Sequence, residues 1–527
     1  MAKTSSDEAG GNPFAAMLEA QARWAEMMFA PLPQLAKDGD ADAPTALSDM
    51  QKWAENATRL QTMWLEFCQS HAIEATGEMM AGDPAKWFAM FETWTEQLPF
   101  ADPAEQQRWW AESAQLWQAL MLPQGDADGD DGGKLELPRE DRRFADPRWR
   151  EQPVFALLHQ TYLMLTERVL AMVEKMDQVD PAKREQLKFA TQAMAEALSP
   201  ANFAATNPIV LDRIMESRGE SLVNGMQNLL RDIQKGQLTH TDPEAFVLSE
   251  NLATTPGKVV HETPLFQLIQ YEPSTEKVLG VPLIIFPPWI NRFYILDLNE
   301  KKSFVKWAVD QGLTVFMVSW KSADASMKDV VWDNYIAAQI EAIDHVRKRL
   351  RQSAVHTIGY CVAGTTLAAT LAVLAEKGEL DKVKSATFFT AQVDFSEAGE
   401  LLHFIDDQQI AAIKSLERDG FIDGRYMAAT FNLLRGNDLI WNYVVRNYLL
   451  GEDYTAFDLL HWNGDVTNLP AKWHQQYLQQ LYRDNLLVKP GKLEALGVPI
   501  DLGKVDIPTY IQAGKDDHIA PVSSVWK

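Results

Sequence analysis

One stretch, Val355 to Thr370, reads VHTIGYCVAGTTLAAT and constrains the fold of this chain more than any other. A β-branched run, Val355 to Ile358, suits a strand, and Val362 to Ala375 has the Ala, Leu and Thr composition of a packed helix. A chain that passes from strand to helix within so few residues needs small side chains two positions before and two positions after the residue at the apex. Gly359 and Ala363 meet that need, and the residue between them is Cys361. Such a turn presents its apical side chain as a nucleophile. At the start of a helix the thiol meets unpaired N–H groups and the positive end of the dipole, which favour the thiolate. The Val362 backbone N–H is expected to form half of an oxyanion hole. A free cysteine is often only a small buried hydrophobe; the strand before it and the helix after it favour the nucleophile.

The surroundings of the turn agree with this reading. Leu265 to Tyr271, Leu283 to Phe286, Thr314 to Trp320, Val383 to Thr390 and Ile507 to Gln512 read as strands. Ser303 to Gln311 and Met327 to Leu350 read as helices, the second with Trp332, Ile336, Ile340, Ile343 and Leu350 on one face. The basic cluster Arg347, Lys348, Arg349 and Arg351 closes that second helix, where cations suit the dipole. Strands alternating with helices predict βαβ units and a mostly parallel sheet. Between about 395 and 485 the alternation lapses into helical, aromatic-rich sequence, the place for a cap over an active site.

The first half of the chain is different. From Phe14 onward, Leu18, Ala22, Ala25 and Phe29 recur at helical spacing, and 8 of the 17 tryptophans lie within the first 120 residues. Helical stretches from about Pro153 to Leu198 and from Pro208 to about Lys235 follow. The expected organisation is therefore an all-α domain over 1–245, with 1–12 and 124–133 flexible, and an α/β domain over 246–527. In Gln124 to Gly133, QGDADGDDGG, the spacing of Asp126, Asp128 and Asp130 suggests a calcium loop. Asp131 stands where glycine is needed and Leu137 where glutamate is needed, so a solvated linker is the better reading.

Charge and cysteine count exclude several classes. With 49 basic against 73 acidic residues the formal net charge is -24, which repels phosphate backbones and argues against nucleic-acid binding. Two cysteines, Cys68 and Cys361, give no disulfide framework and point to a reducing compartment. The polar N-terminus, MAKTSSDEAGGNP, has no apolar core of a secretory signal, and the longest apolar runs are too short to span a membrane.

A cysteine nucleophile needs a base and an acid that orients it. The strand ending at Gln512 runs into Ala513-Gly514-Lys515-Asp516-Asp517-His518, so Asp516 or Asp517 is the acid, with Asp394 a rival. His518 is the one histidine beyond that acid, and adjacent residues rarely converge on one imidazole edge.

At these residues the chain resembles the class I polyhydroxyalkanoate synthases. The resemblance runs from Asp141 onward. It includes Asp141-Arg142-Arg143-Phe144, Leu198-Ser199-Pro200-Ala201-Asn202-Phe203, Gly219-Glu220-Ser221-Leu222, Pro287 through Leu298 and Val318-Ser319-Trp320. Beyond the Cys361 turn it takes in Asn437 through Asn442, Trp462-Asn463-Gly464-Asp465, Thr467-Asn468-Leu469-Pro470 and Asp517-His518-Ile519. It implies an α/β-hydrolase fold with a cap, and an acyltransferase that polymerises (R)-3-hydroxyacyl-CoA, typically 3-hydroxybutyryl-CoA, with release of CoA. Cys361 matches the nucleophile, Asp517 the acid that orients the histidine, and Val362 the oxyanion donor; no cofactor and no metal are implied. The implied partners are the hydroxyacyl-CoA, the growing polyester, a second copy of the chain in a homodimer, and proteins of the cytoplasmic granule surface. Such turns usually have glycine where this chain has Ala363. The histidine of the family lies in a Gly-Ser-Gly-His-type loop some tens of residues past Asp517, and the sequence stops at Lys527. The chain is therefore expected to be a fragment without its base, its sheet incomplete at the C-terminal edge, inactive or nearly so by itself and prone to aggregate. A thioesterase or depolymerase using the same thiol, or a non-catalytic granule-associated protein, are the competing readings.

Overall fold

The computed structural model describes residues 43–71, 141–417 and 419–526. The helix expected from Phe14, the tryptophans from Trp87 to Trp117 and the linker Gln124 to Gly133 lie outside them. The described residues group into two compact units.

The first unit is helical: α1 (Ala43–His71), α2 (Pro153–Glu174), α3 (Pro181–Ala197), α4 (Pro208–Glu216) and α5 (Glu220–Lys235). Each of the two helical stretches expected after Pro153 is a pair. Asp180 caps α3 by accepting from the Ala182 and Lys183 N–H groups, and Pro181 occupies its first turn, so the helix restarts there. Gly219, at φ 83°, separates α4 from α5. A small core of Phe144, Trp149 and Ala201 holds the unit, with Phe155 and Tyr162 packed against it. Residues Arg435–Asp453 also belong here. Tyr448 Oη donates to Asp232 at 2.6 Å and Asn228 donates to the Asn447 carbonyl at 3.0 Å, both anchoring that segment on α5.

The second unit is built on a seven-stranded sheet. Its strands are β1 (Gly257–Glu262), β2 (Phe266–Tyr271), β3 (Leu283–Phe286), β4 (Val315–Trp320), β5 (Val355–Tyr360), β6 (Val383–Phe389) and β7 (Thr509–Gln512), in the spatial order β1-β2-β4-β3-β5-β6-β7. From β4 to β7 every neighbouring pair is parallel, while β1 and β2 form an antiparallel margin. β1 was not foreseen, because Gly-Lys-Val-Val-His-Glu carries two apolar residues among charged ones and lies largely exposed at the edge. The helices of this unit include α6 (Phe304–Asp310), α7 (Trp332–Leu350), α8 (Val362–Glu376), α9 (Asp407–Leu416), α10 (Gly424–Leu434) and α11 (Ala471–Gln476). The helix expected from Met327 starts five residues later, at Trp332, after a short 3-10 turn.

β5 lies in the interior of the sheet, with Gly359 opposite Phe286 on one side and Phe388 on the other. One face packs Ile284, Phe286, Phe316 and Val318 with α7 and α8; the other packs Ile285, Val315 and Met317 with α6. Val362 to Leu374 of α8 are buried without exception. A helix apolar all round has to be enclosed. Two buried polar groups orient it: Trp332 Nε1 donates to Thr366 at 2.8 Å, and Gln339 Nε2 donates to the Ala363 carbonyl at 3.0 Å.

Candidate active site

Cys361 is the residue between β5 and α8, half-buried, with φ at 52°. A non-glycine side chain in that region is strained, and the strain is held here by bonds on both sides. The Cys361 N–H donates to the Phe389 carbonyl at 2.9 Å, and its carbonyl accepts from Gly364 at 2.8 Å and Thr365 at 3.0 Å. The close approach of strand and helix falls on Gly359 and Gly364. A Cβ on Gly359 would lie 2.5 Å from the Gly364 Cα, and one on Gly364 would lie 2.5 Å from the Ala391 Cβ. Ala363, singled out in the sequence as the small residue, is accommodated in the core with no exposed surface. Its methyl is compatible with the turn because the crowded position is the next one.

The Val362 N–H reaches the Cys361 sulfur and favours its ionised form, as the helix N-terminus leads one to expect. The thiolate is nevertheless disfavoured. Burial pushes the thiol up from 9.0 to about 11, and the Asp517 carboxylate adds to the rise against the pull of Val362. The reading of an activated thiol is thus corrected: desolvation outweighs one N–H and the dipole. Tyr360, beside it, is raised to about 12 by burial and by the charges of Cys361 and Asp517.

β7 delivers the acid loop. Asp517 Oδ1 accepts from the Ile519 N–H at 2.9 Å and the Ala520 N–H at 2.8 Å, which fixes the carboxylate within electrostatic reach of the thiol. Asp516 is exposed. Asp394 is engaged elsewhere, accepting from Asn485 at 2.9 Å and from the Ser396 N–H at 2.9 Å. His518 is half-buried, and its backbone carbonyl accepts from the Glu400 N–H at 3.1 Å.

Three further residues belong to this region, two of them within electrostatic reach of Cys361. Tyr477 and Tyr482 lie in a π-helical turn, Tyr477–Arg483, that continues α11. Both phenols are raised chiefly by burial and feel the Cys361 charge, and their rings meet edge-on with centroids 5.2 Å apart. Tyr482 Oη donates to Gln392 Oε1 at 3.2 Å, and Gln392 Nε2 donates to the Ile519 carbonyl at 2.9 Å. The Gln392 carbonyl in turn accepts from Thr365 of α8 at 2.7 Å. In an α-helix, residues five apart point about 140° away from each other. An i to i+5 bonded turn brings them together, and such turns collect at functional sites. No apolar periodicity announces a π turn, so this pair was not legible in the sequence.

Two of the motifs that carry the resemblance serve each other. Arg292 Nε donates to Asp465 at 3.1 Å, Tyr294 Oη donates to the same carboxylate at 2.8 Å, Asn291 donates to the Asn463 carbonyl at 3.3 Å and Trp462 Nε1 to the Arg292 carbonyl at 2.8 Å. The segments 287–298 and 462–470 therefore dock as a pair. Among the described residues no group of three or more His, Cys, Asp or Glu is placed to hold a metal ion, and no helix is long and apolar enough to cross a membrane.

Comparison with known proteins agrees with this architecture. Residues 140–308 match the family model described as Poly-beta-hydroxybutyrate polymerase (PhaC) N-terminus, and residues 282–527 match the alpha/beta hydrolase fold. The chain is 44% identical over 418 residues to the Poly(3-hydroxyalkanoate) polymerase subunit PhaC of Rhizobium meliloti (strain 1021), covering 78% of this chain and 68% of that protein. It is 42% identical over 428 residues to the subunit of the same name from Cupriavidus necator, covering 80% and 71%. To the Poly(3-hydroxyalkanoate) polymerase of Methylorubrum extorquens it is 44% identical over 399 residues, covering 75% and 66%. The sheet order, the strained cysteine at the strand–helix turn and these matches agree: the chain belongs to the poly(3-hydroxyalkanoate) polymerase family, on an α/β-hydrolase fold.

Proposed function

We propose that this chain polymerises (R)-3-hydroxyacyl-CoA, 3-hydroxybutyryl-CoA first among them, into polyhydroxyalkanoate with release of CoA, through a thioester on Cys361. The observation that carries the reading is the Cys361 sulfur, fixed at φ 52° on the strand–helix turn with the Val362 N–H against it. Transfer of an acyl group from the CoA sulfur to the Cys361 sulfur exchanges one thioester for another at little cost in free energy. The acyl group then remains activated for attack by the hydroxyl of the next unit, which an ester on serine would not allow so readily. Val362 donates to the developing oxyanion, and Asp517 orients the imidazole that takes the thiol proton. A thiol raised to about 11 is neutral at physiological pH, so that proton transfer is a step the base must perform. The cap residues of 395–485 that belong to this unit shield the acyl enzyme from water. On the family resemblance we place the protein in the cytoplasm at the surface of polyester granules, as a homodimer.

The test supplies the full-length protein with 3-hydroxybutyryl-CoA and follows CoA release together with polymer mass. Polymer that appears with the native protein and vanishes with Cys361→Ala is the expected result. Released CoA with soluble hydroxy acid and no polymer would put a thioesterase in its place, and polymer from the Cys361→Ala protein would remove Cys361 from the mechanism.

A further inference from the structure

Gln392 follows β6 and is 5% exposed. Its backbone and its side chain hold different parts of the site. The Gln392 carbonyl accepts from Thr365 Oγ1 at 2.7 Å, and the Thr365 N–H donates to the Cys361 carbonyl at 3.0 Å, so this backbone is tied to the first turn of α8. The side chain reaches the acid loop, where Gln392 Nε2 lies 2.9 Å from the Ile519 carbonyl. A carbonyl can only accept, so the amide nitrogen must face it, and Oε1 is left to the Tyr482 hydroxyl at 3.2 Å.

The Ile519 carbonyl shares a peptide unit with the Ala520 N–H, and that N–H donates to Asp517 Oδ1 at 2.8 Å. In a trans peptide the two groups point in opposite directions, and no peptide bond among the described residues is cis. One plane is therefore gripped from both sides, by the Gln392 amide at its oxygen and by the Asp517 carboxylate at its nitrogen. The backbone to either side is stitched to the stretch after β6: the Glu400 N–H donates to the His518 carbonyl at 3.1 Å, and the Val393 N–H to the Ser524 carbonyl at 2.9 Å. Those bonds fix where the loop lies; the Gln392 side chain fixes how the 519–520 plane is turned.

We propose that Gln392 is a positioning residue, which turns the 519–520 peptide so that its N–H holds Asp517 and so sets the acid against the Cys361 turn. The proposal rests on the reading of Cys361 as the nucleophile and Asp517 as the acid. Without the amide donor the Ile519 carbonyl loses its partner, and the plane is free to rotate and withdraw the Ala520 N–H. Asp517 then keeps one of its two backbone donors, the Ile519 N–H at 2.9 Å. A carboxylate held by one bond turns about it and no longer fixes the orientation of an imidazole.

The first measurement is amide hydrogen exchange on this chain with Gln392→Met, an unbranched side chain that fills the same space and has no N–H donor. Exchange at Ile519 and Ala520, read by mass spectrometry within the peptide from Ala513 to Lys527, should quicken roughly tenfold, the weight of one hydrogen bond, while β5 and α8 stay unchanged. The second measurement is turnover of 3-hydroxybutyryl-CoA by the full-length protein. There the same substitution should lower kcat roughly tenfold and leave KM in place, because the acid acts on the base and not on substrate binding. Unchanged exchange in the acid loop of a folded variant overturns the proposal. Exchange that quickens equally along β5 and α8 also overturns it, since Gln392 would then be an ordinary core residue. If Gln392→Met does not fold, Gln392→Leu is read in the same way. A loosened acid loop with kcat unchanged strikes at Asp517 as the acid and removes Gln392 from the reaction, so the failure of that reading is told apart from the failure of the hydrogen bond.

Discussion

At the scale of single residues the site is a contest between burial and one well-placed donor, and burial prevails. The Cys361 thiol is held up to about 11, above the 9.0 of a free thiol. Because the folded state keeps its proton where the unfolded chain has lost it, this group's contribution to stability is whole below pH 9 and drains away as pH rises towards 11. The same shift governs reactivity, since the thiolate is the nucleophile. Alkylation of Cys361 in this chain should climb about tenfold per pH unit from pH 7 to 10, as expected for a fraction ionised well below its midpoint. A rate that levels off near pH 8 would show an activated thiol and contradict the burial argument. The position of Cys361 could be read from its neighbours in the sequence. Its ionisation could not, because that depends first on burial and then on Asp517, which is distant in sequence and brought near in the fold.

At the scale of elements, the turn from β5 to α8 is set by Gly359, two residues before Cys361, and Gly364, three after it, whereas spacing suggests Gly359 and Ala363. Gly359→Ala and Gly364→Ala each drive a Cβ to within 2.5 Å of atoms that cannot retreat, the Gly364 Cα and the Ala391 Cβ. Each substitution should cost about 1–3 kcal/mol or more, the usual range for overpacking a core, and should shift Cys361 out of line with Val362. Ala363→Gly should cost about 1–2 kcal/mol, the helix-propensity difference plus the lost burial of one methyl, with Cys361 left in place. Thermal melts of the three variants check the order; Ala363→Gly as damaging as Gly364→Ala would mean the crowded position has been misplaced. The strands of the parallel core were legible because runs such as Leu-Ile-Ile-Phe and Val-Phe-Met-Val are buried on both faces. β1 was not, since an edge strand need not alternate or be apolar, and neither were the breaks at Asp180 and Gly219, which fall inside long helical composition.

At the scale of the molecule, each unit buries its own core, so each answers to pH through its own titratable groups. In the helical unit His159 is 1% exposed, stacked on Phe144 at 3.9 Å, and neither ring nitrogen has a hydrogen-bonding partner among the described residues. Burial lowers it to about 4, with Arg143 and Arg150 assisting and Asp141 opposing. The unfolded chain would take up a proton near 6.5, so folding keeps His159 neutral at a cost that grows as pH falls from 6.5 towards 4. Between pH 7 and pH 5 that cost is about 2 kcal/mol, or about thirtyfold in the local opening equilibrium. Amide exchange along α2, corrected for its intrinsic pH dependence, should lose protection by that factor on acidification. His159→Phe, which keeps a flat apolar ring against Phe144 and Trp149, should hold protection nearly constant over the same range. Equal losses in the native chain and in His159→Phe would mean that the acid sensitivity of this unit resides in its carboxylates, such as the Asp141–Arg143 pair, and that the buried imidazole contributes little.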